Sequence, residues 1–238
     1  MKVIIFGSSH GIPEGDRQCT SYMVDVDGHY YFIDMGMQVI SGMRRRGMDV
    51  TAVEMIACTH PHGDHTDGLL HFVDEVNWAF RIPKLDVILP HQEMVDAVHT
   101  WLHAIGVAEK EQIRYHVAHP GIIYEDERVR LTAFRTQHCI PSYAFLFEAE
   151  GKKILFTGDL HAELIDFPID ACTSPELIVT ESAHFDAENL TPFLADMKPQ
   201  KVVFSHIAPG RTAALYKFLG EDHPYPCIAA IDDLEINM

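Results

Sequence analysis

The clearest candidate for chemistry in this sequence is the loop from Thr59 to His65, which reads Thr-His-Pro-His-Gly-Asp-His. Its four metal-binding side chains are His60, His62, Asp64 and His65. Three imidazoles and a carboxylate suit zinc, iron or manganese better than calcium or magnesium. Surface histidines in a turn are the alternative interpretation, but four donors within so short a loop favour a metal site.

The residues on either side of this loop predict how it is held. Residues 52–58 form an apolar run whose length suits a buried strand. Pro61 and Gly63 disfavour both a strand ladder and a helix through the cluster. Thr66 can cap a helix that begins at Asp67. We therefore expect the histidines on a sharp strand-to-helix loop at one end of a sheet.

Three further donors follow apolar strands later in the chain. His138 comes after the strand predicted at 129–135, Asp159 after residues 153–156, and His206 after residues 201–204. A single His or Asp at the end of a strand is more often a cap or turn residue. Three of them, in a chain that already holds a metal loop, favour ligand roles in a site for two metals.

In the rest of the sequence, predicted strands alternate with predicted helices. Strands are predicted at 2–6, 22–26, 29–33, 85–89, 143–149 and 177–181, and helices over 37–46, 90–105, 189–197 and 209–219. Two sheets packed face to face, each covered outside by helices, would bury these apolar runs in four layers. The fold class is therefore α/β, and 238 residues suit a single domain spanning 1–238.

The composition limits the partners and the compartment. The net charge is −17, from 18 basic and 35 acidic side chains. Proteins that bind polyanions present a basic face, so this balance disfavours extended nucleic acid and favours a small-molecule substrate. The five cysteines are scattered without a C-x-x-C pair, which predicts reduced thiols in a cytoplasmic protein. The absence of a long apolar run predicts no membrane span.

The order of the donors resembles a known family. His60-x-His62-x-Asp64-His65, followed by His138, Asp159 and His206, is similar to the ligand set of the metallo-β-lactamase superfamily. The loop at 7–13, Asp34-x-Gly36 and the segment 151–159 look like the ribonuclease Z-like branch of that superfamily.

This resemblance implies a four-layer αββα sandwich with two divalent transition-metal ions at one edge between the sheets. From the donor types, zinc is the expected metal, with manganese or iron as alternatives. The first metal would be bound by His60, His62 and His138. The second would be bound by Asp64, His65 and His206. Asp159 would bridge the two metals together with a water or hydroxide, and metal-bound water can act as a nucleophile at neutral pH.

The sequence departs from ribonuclease Z where those enzymes carry a long arm that grips transfer RNA. Asp159 follows His138 by only 21 positions, which leaves no room for an arm. The chain looks more like armless members of the branch, which include small-molecule cyclic phosphodiesterases. We expect a dinuclear metal-dependent hydrolase, a phosphodiesterase that attacks a small or cyclic phosphate ester through a metal-bridging hydroxide. The alternatives are a lactonase or other C–O or C–N hydrolase, a tRNA 3′-processing endonuclease, a redox iron protein and a non-catalytic metal-binding scaffold, which should lack a proton donor such as His184.

Two residues are candidates for catalysis. His184 directly follows Glu181-Ser182-Ala183, which resembles the segment that precedes a proton-donating histidine in the ribonuclease Z-like branch. An imidazole can donate a proton to a leaving group at neutral pH, although a partly buried histidine bonded to a backbone carbonyl is the structural alternative. Asp64 is the second catalytic candidate.

Three other residues are of interest around the site. Asp34 ends a strand and is the candidate to fix the tautomer of a metal-bound imidazole. His161 and His10 are candidates for contact with a substrate. By analogy with the family, the chain is expected to form a homodimer.

Overall fold

The strands of the protein form two seven-stranded sheets, and the computed structural model describes residues 1–238. The first sheet consists of β1 (Lys2–Gly7), β2 (Ser21–Val26), β3 (His29–Met35), β4 (Val53–Ala57), β5 (Leu85–Leu89), β6 (Ile113–Val117) and β14 (Leu234–Asn237). Its spatial order is β14-β1-β2-β3-β4-β5-β6, and β3 to β6 run parallel.

The second sheet is built from the strands between β6 and β14. They are β7 (Gly121–Glu125), β8 (Val129–Thr136), β9 (Ser142–Ala149), β10 (Lys152–Phe156), β11 (Leu177–Ser182), β12 (Val202–Ile207) and β13 (Cys227–Ala229). Their spatial order is β13-β12-β11-β10-β9-β8-β7, in which β10 to β13 run parallel. A turn at Glu150 and Gly151 joins β9 to β10, so two paired strands fill the segment between His138 and Asp159.

Five α-helices cover the outer faces of the two sheets. They are α1 (Ile40–Arg45), α2 (Gly63–Trp78), α3 (Gln92–Ala104), α4 (Thr191–Met197) and α5 (Thr212–Leu219). One apolar core lies between the sheets, a second between the first sheet and α1 to α3, and a third between the second sheet and α4 and α5. The predicted four-layer αββα sandwich is confirmed. No helix has both the length and the apolar character that a membrane crossing requires.

The prediction that α2 begins at Asp67 was wrong. The helix begins at Gly63, so Asp64 and His65 lie in its first turn. Pro61 precedes the helix, and Gly63 is its first residue, where the backbone N–H has no helical partner in any case. Thr66 does not cap the helix, because its hydroxyl donates to the carbonyl of His62 at 3.0 Å.

The other helices start two or three residues later than predicted, and before α4 and α5 a short 3-10 turn precedes the helix. One 3-10 turn covers Ala187–Leu190 before α4, and another covers Pro209–Arg211 before α5.

The parallel strands explain why the predicted donors meet. In α/β sheets ligands bind beyond the carboxyl ends of parallel strands. β4, β10 and β12 all direct their carboxyl ends to the same edge of the sandwich. The loops that follow β4 and β10 and the end of β12 therefore bring His60, Asp159 and His206 together.

Gly36 permits a close contact between the end of β3 and the start of α2. A Cβ atom at this position would lie 1.8 Å from the carbonyl oxygen of Asp64, which is backbone and has little freedom to withdraw. The backbone of β3 is thus packed directly against the helical turn that carries Asp64 and His65.

We predict that Gly36→Ala lowers the free energy of unfolding by about 1–3 kcal/mol, the usual cost of overpacking, because the new methyl group must displace the Asp64 carbonyl. Chemical denaturation measures the change. Gly15→Ala is the matched control, since a Cβ there meets nothing within 4 Å, and its effect should stay within about 0.5 kcal/mol. Equal stability of the two variants would contradict the close packing.

Candidate metal centre

Three imidazole nitrogens converge at the mouth of the sandwich. His60 Nε2 lies 3.1 Å from His62 Nδ1, and His138 Nε2 lies 3.2 Å from the same His62 atom. Around a tetrahedral ion with bonds of about 2.0–2.1 Å, ligand nitrogens lie about 3.3–3.4 Å apart. The spacing of this first donor group is close to that required by a zinc-sized ion.

A second donor group lies deeper, at the start of α2 and the end of β12. His206 Nε2 lies 3.0 Å from Asp64 Oδ2, and His65 Nε2 lies 3.4 Å from the same oxygen. His65 and His206 are buried, and Asp64 is mostly buried. Asp64, His65 and His206 therefore form a second set of one carboxylate and two imidazoles.

The carboxylate of Asp159 lies between the two donor groups. Asp159 Oδ2 is 3.7 Å from His60 Nε2 and also 3.7 Å from His138 Nε2. On the other side, Oδ1 is 3.4 Å from His65 Nε2, and Oδ2 is 3.5 Å from His206 Nε2. Asp159 therefore lies where one carboxylate can contact both donor groups, and its bridging role stays a prediction.

Asp34 holds the deeper donor group from behind. Its buried carboxylate accepts a hydrogen bond from His65 Nδ1 at 2.7 Å and from the backbone N–H of Thr59 at 2.7 Å. The hydroxyl of Thr59 also donates to Asp34 at 2.8 Å and lies 3.1 Å from His60 Nδ1. The hydrogen bond between His65 Nδ1 and Asp34 leaves His65 Nε2 directed at the cluster, which is the role expected for Asp34 from the sequence.

The charges at the site favour the ligand forms of Asp159, Asp64 and His60, but not the neutral form of His65. Burial alone would raise the pKa of Asp159, but His206 and His65 lower it below its ordinary value. Burial opposes ionisation of Asp64 as well, and its contacts with His206 and His65 again lower the pKa. Burial lowers the pKa of His60. Both carboxylates are therefore ionised and His60 is neutral at pH 7, which are the ligand forms of these side chains.

Three buried atoms of the cluster residues have no hydrogen-bond partner in the protein: His65 Nε2, Asp159 Oδ1 and His206 Nδ1. An unpaired buried polar atom is costly unless something else satisfies it. The pKa of His65 is raised, because Asp159 and Asp34 outweigh the opposing effect of burial. The pocket thus favours positive charge beside these carboxylates. The orphaned atoms and the donor types fit two divalent transition-metal ions.

His184 lies beside the cluster on the loop after β11. Its Nδ1 contacts Glu181 Oε2 at 2.8 Å and lies 3.8 Å from Asp159 Oδ2. The Nε2 atom makes no hydrogen bond within the protein, and 34% of the side chain is exposed. The hydrogen bond to Glu181 is the largest cause of the raised pKa of His184, while burial acts in the opposite direction.

Glu181 was not singled out as a functional residue by the sequence, although its spacing of three residues from His184 was a usable signal. Its side chain is 1% exposed and accepts hydrogen bonds from the backbone N–H groups of Leu160, Ala183 and His184. These three hydrogen bonds fix the carboxylate in the position from which it contacts the imidazole of His184.

The rings of His161 and His10 contact residues outside the two donor groups. The ring of His161 accepts a hydrogen bond from the backbone N–H of Glu163 at 3.1 Å, and His10 Nε2 lies 3.2 Å from Glu14 Oε1. Neither ring is among the groups of side chains that could hold an ion together. Their contact with a substrate stays a prediction.

Asp166 is a further residue that sequence reasoning missed. Its buried carboxylate accepts hydrogen bonds from the backbone N–H of Gln137 at 2.6 Å and of His161 at 3.1 Å. Gln137 precedes His138, and His161 lies two positions after Asp159. Asp166 therefore ties together the two loops that carry these donors.

With the geometry established, comparison with known proteins identifies the family. A family model described as Anti-Pycsar protein Apyc1 matches residues 1–181, which is more than half of the chain. The chain belongs to the Apyc1 family. This match includes every predicted site residue except His184 and His206, which lie beyond residue 181.

Curated relatives of this Apyc1-family chain are named Ribonuclease Z. The protein from Methanothermobacter thermautotrophicus is 26% identical over 153 residues, which cover 64% of this chain and 49% of that relative. The protein from Listeria monocytogenes serotype 4b is 26% identical over 166 residues, covering 68% and 53%. The chain thus spans about half the length of these relatives. The resemblance to ribonuclease Z is confirmed, and the expectation that nucleic acid is disfavoured gains no support from them.

Solved structures share the fold over the whole chain. A metallo-β-lactamase fold protein, YhfI from Bacillus subtilis, has a TM-score of 0.82 at 14% identity and covers 99% of both chains. The short form of human tRNase Z has a TM-score of 0.79 at 17% identity and covers 100% of this chain and 99% of that one. At these identities the likeness establishes the fold alone, and it confirms the metallo-β-lactamase architecture.

We predict that Asp34→Asn weakens zinc binding about 10- to 100-fold, the usual effect of removing a hydrogen-bonded carboxylate behind a histidine ligand. Competition with a chromophoric chelator measures the affinity. Glu188→Gln removes one negative charge from an exposed position and should leave the affinity unchanged. Equal affinity in Asp34→Asn and the wild type would contradict the role of Asp34.

Proposed function

We propose that the protein is a dinuclear metal-dependent phosphodiesterase that acts on a small or cyclic phosphate ester. The observation that supports this most directly is the position of Asp159, whose carboxylate lies within 3.4–3.7 Å of four imidazole nitrogens from two adjacent donor groups. A buried bridging carboxylate between two sets of transition-metal ligands suits hydrolysis by a pair of ions. Zinc is the preferred metal, with manganese or iron as alternatives.

The chain itself would supply the ligands and the proton donor for this reaction. His60, His62 and His138 would hold one ion, and Asp64, His65 and His206 the other, with Asp159 shared between them. When bound, such ions polarise a phosphoryl oxygen and acidify a water molecule.

His184 is the proposed general acid. It lies beside Asp159 at the edge of the cluster, and Glu181 holds its Nδ1, so Nε2 is the nitrogen that can reach a leaving group. An imidazole with one nitrogen fixed by a carboxylate and the other open can deliver a proton in a defined direction. The contact with Glu181 argues against the alternative in which the ring bonds only to a backbone carbonyl.

An RNA substrate is the second candidate, because the curated relatives are named Ribonuclease Z. Two features favour a small ester instead. The paired strands β9 and β10 occupy the segment between His138 and Asp159, and the net charge is −17. A long polyanion would be repelled by this charge, whereas a single phosphoester could still be bound by the ions.

The proposed function can be tested with zinc- or manganese-loaded protein. We expect turnover of bis-p-nitrophenyl phosphate and of a 2′,3′-cyclic nucleotide, and no turnover of a panel of lactones. Cleavage of a precursor transfer RNA in preference to both small esters would favour the RNA alternative. Hydrolysis of lactones alone would overturn the phosphodiesterase proposal.

We predict that Asp159→Ala removes bound metal and activity together, since both donor groups lose the carboxylate that lies between them. Elemental analysis should show less metal per chain than in the wild type, and addition of zinc should not restore turnover. Asp170→Ala changes an exposed carboxylate on the same loop and should retain both properties. Full metal content in Asp159→Ala would show that Asp159 is not a shared ligand.

We predict that His184→Ala retains the metal but lowers kcat for esters with poor leaving groups by about 100-fold or more, the range typical of a lost general acid. An ester with a p-nitrophenolate leaving group needs little protonation and should be affected far less. His103→Ala, on the surface of α3, is the matched control. An equal loss with good and poor leaving groups would exclude the general-acid role.

A further inference from the structure

The guanidinium of Arg211 forms hydrogen bonds with the loop that carries His184. Its Nε donates to the carbonyl of Ala183 at 2.8 Å, one Nη donates to the carbonyl of His184 at 3.1 Å, and the other contacts the carboxylate of Asp186 at 2.6 Å. Arg211 thus uses all three of its guanidinium nitrogens on three residues of the segment 183–186, namely Ala183, His184 and Asp186.

These contacts reach the loop from a different part of the chain. Arg211 ends the 3-10 turn after β12, the strand that presents His206. The backbone N–H of Ala208 also donates to the carbonyl of Ser182 at 3.2 Å. The loop that carries His184 is therefore attached to the chain segment that follows His206.

Glu181 and Arg211 hold His184 from two sides. Glu181 fixes the imidazole through Nδ1 and accepts from the backbone N–H of His184. Arg211 fixes the carbonyl of the same residue. A carbonyl and an N–H that are both held leave the residue little freedom to rotate about its backbone, so the direction of the ring is defined.

We propose that Arg211 is a positioning residue for His184: by fixing the main chain at 183–186 it holds the imidazole in line with the leaving group of the ester. The inference rests on the proposed function, because it takes His184 as the proton donor. Arg211 touches none of the metal donors, and its hydrogen-bonding groups are already used by the loop.

The residue type supports this role. Arg presents donors in a rigid plane, whereas Lys offers a single flexible ammonium that cannot meet two carbonyls and a carboxylate in fixed directions. The guanidinium side chain is 33% exposed, and Asp186 is 51% exposed, so their charge pair alone contributes little to stability. The role of Arg211 therefore depends mainly on its directed hydrogen bonds to the carbonyls of Ala183 and His184.

The experiment compares Arg211→Ala, His184→Ala and the double variant in metal-loaded protein. We expect Arg211→Ala to lower kcat for an ester with a poor leaving group by about 10- to 100-fold, a part of the full general-acid effect, and for a p-nitrophenyl ester by less than about threefold. KM and metal content should stay near wild type. In the His184→Ala background, Arg211→Ala should cause no further loss, because the two residues act as one unit.

Two further variants keep the result interpretable. Lys217→Ala removes a positive charge from an exposed position on α5, and it should behave as wild type. Arg211→Lys keeps the charge but loses the fork, and it should remain impaired with poor leaving groups. If Arg211→Ala fails to fold, Asp186→Asn can replace it. This variant weakens the contact between Arg211 and residue 186, and it should lower kcat for poor leaving groups by a smaller factor.

A measurement without turnover separates this inference from the proposed function. In protein with ¹⁵N-labelled histidine, the imidazole N–H of His184 that donates to Glu181 should exchange with solvent faster in Arg211→Ala than in the wild type. If the wild type cleaves no phosphoester, the proposed function fails, and this signal alone decides the role of Arg211. Unchanged exchange, an additive loss in the double variant or full recovery in Arg211→Lys would each overturn the inference.

Discussion

The whole site depends on placing one buried carboxylate, that of Asp159, between four imidazoles from three separate segments of the chain. A buried negative charge is tolerated only where positive charge or hydrogen bonds compensate it. Gly158 makes this position accessible, since it adopts a φ of +57° and a Cβ there would lie 2.8 Å from the carbonyl of Tyr143. The turn after β10 can therefore approach both β9 and the loop after β4, which brings Asp159 to the centre.

The two sheets each use the same device to orient an imidazole. In the first sheet, Asp34 is fixed by the N–H and hydroxyl of Thr59 and then accepts from Nδ1 of His65. In the second sheet, Glu181 is fixed by backbone N–H groups and then contacts Nδ1 of His184. In both cases a carboxylate with its own position defined sets which nitrogen of a histidine faces the site. One histidine is thereby directed at the donor cluster and the other at its margin.

The sequence was sufficient to predict the layers of the fold and to select seven candidate donors that the structure places close together, because both depend on local patterns; the ligand role of each donor stays a prediction. An apolar strand followed by His or Asp can be recognised within ten residues, and three such strand ends point to a common edge. The beginning of α2 was misplaced, since rules that exclude Pro and Gly from helices apply to the interior of a helix and not to its first turn. The contact of Arg211 with the carbonyl of His184 joins residues 27 positions apart and depends on how β11 and β12 pair, which no local pattern reveals.

The donors come from both halves of the sandwich, so bound ions would oppose separation of the two halves. His60, His62, Asp64 and His65 belong to the half built on the first sheet, whereas His138, Asp159 and His206 belong to the other. An ion bound by both sets would act as a cross-link between the halves, in addition to the apolar core between the sheets. Ions that bind only the closed arrangement stabilise it by mass action. Metal binding would therefore suppress local unfolding most strongly in the loops at this edge. The opposite ends of the strands would be stabilised less.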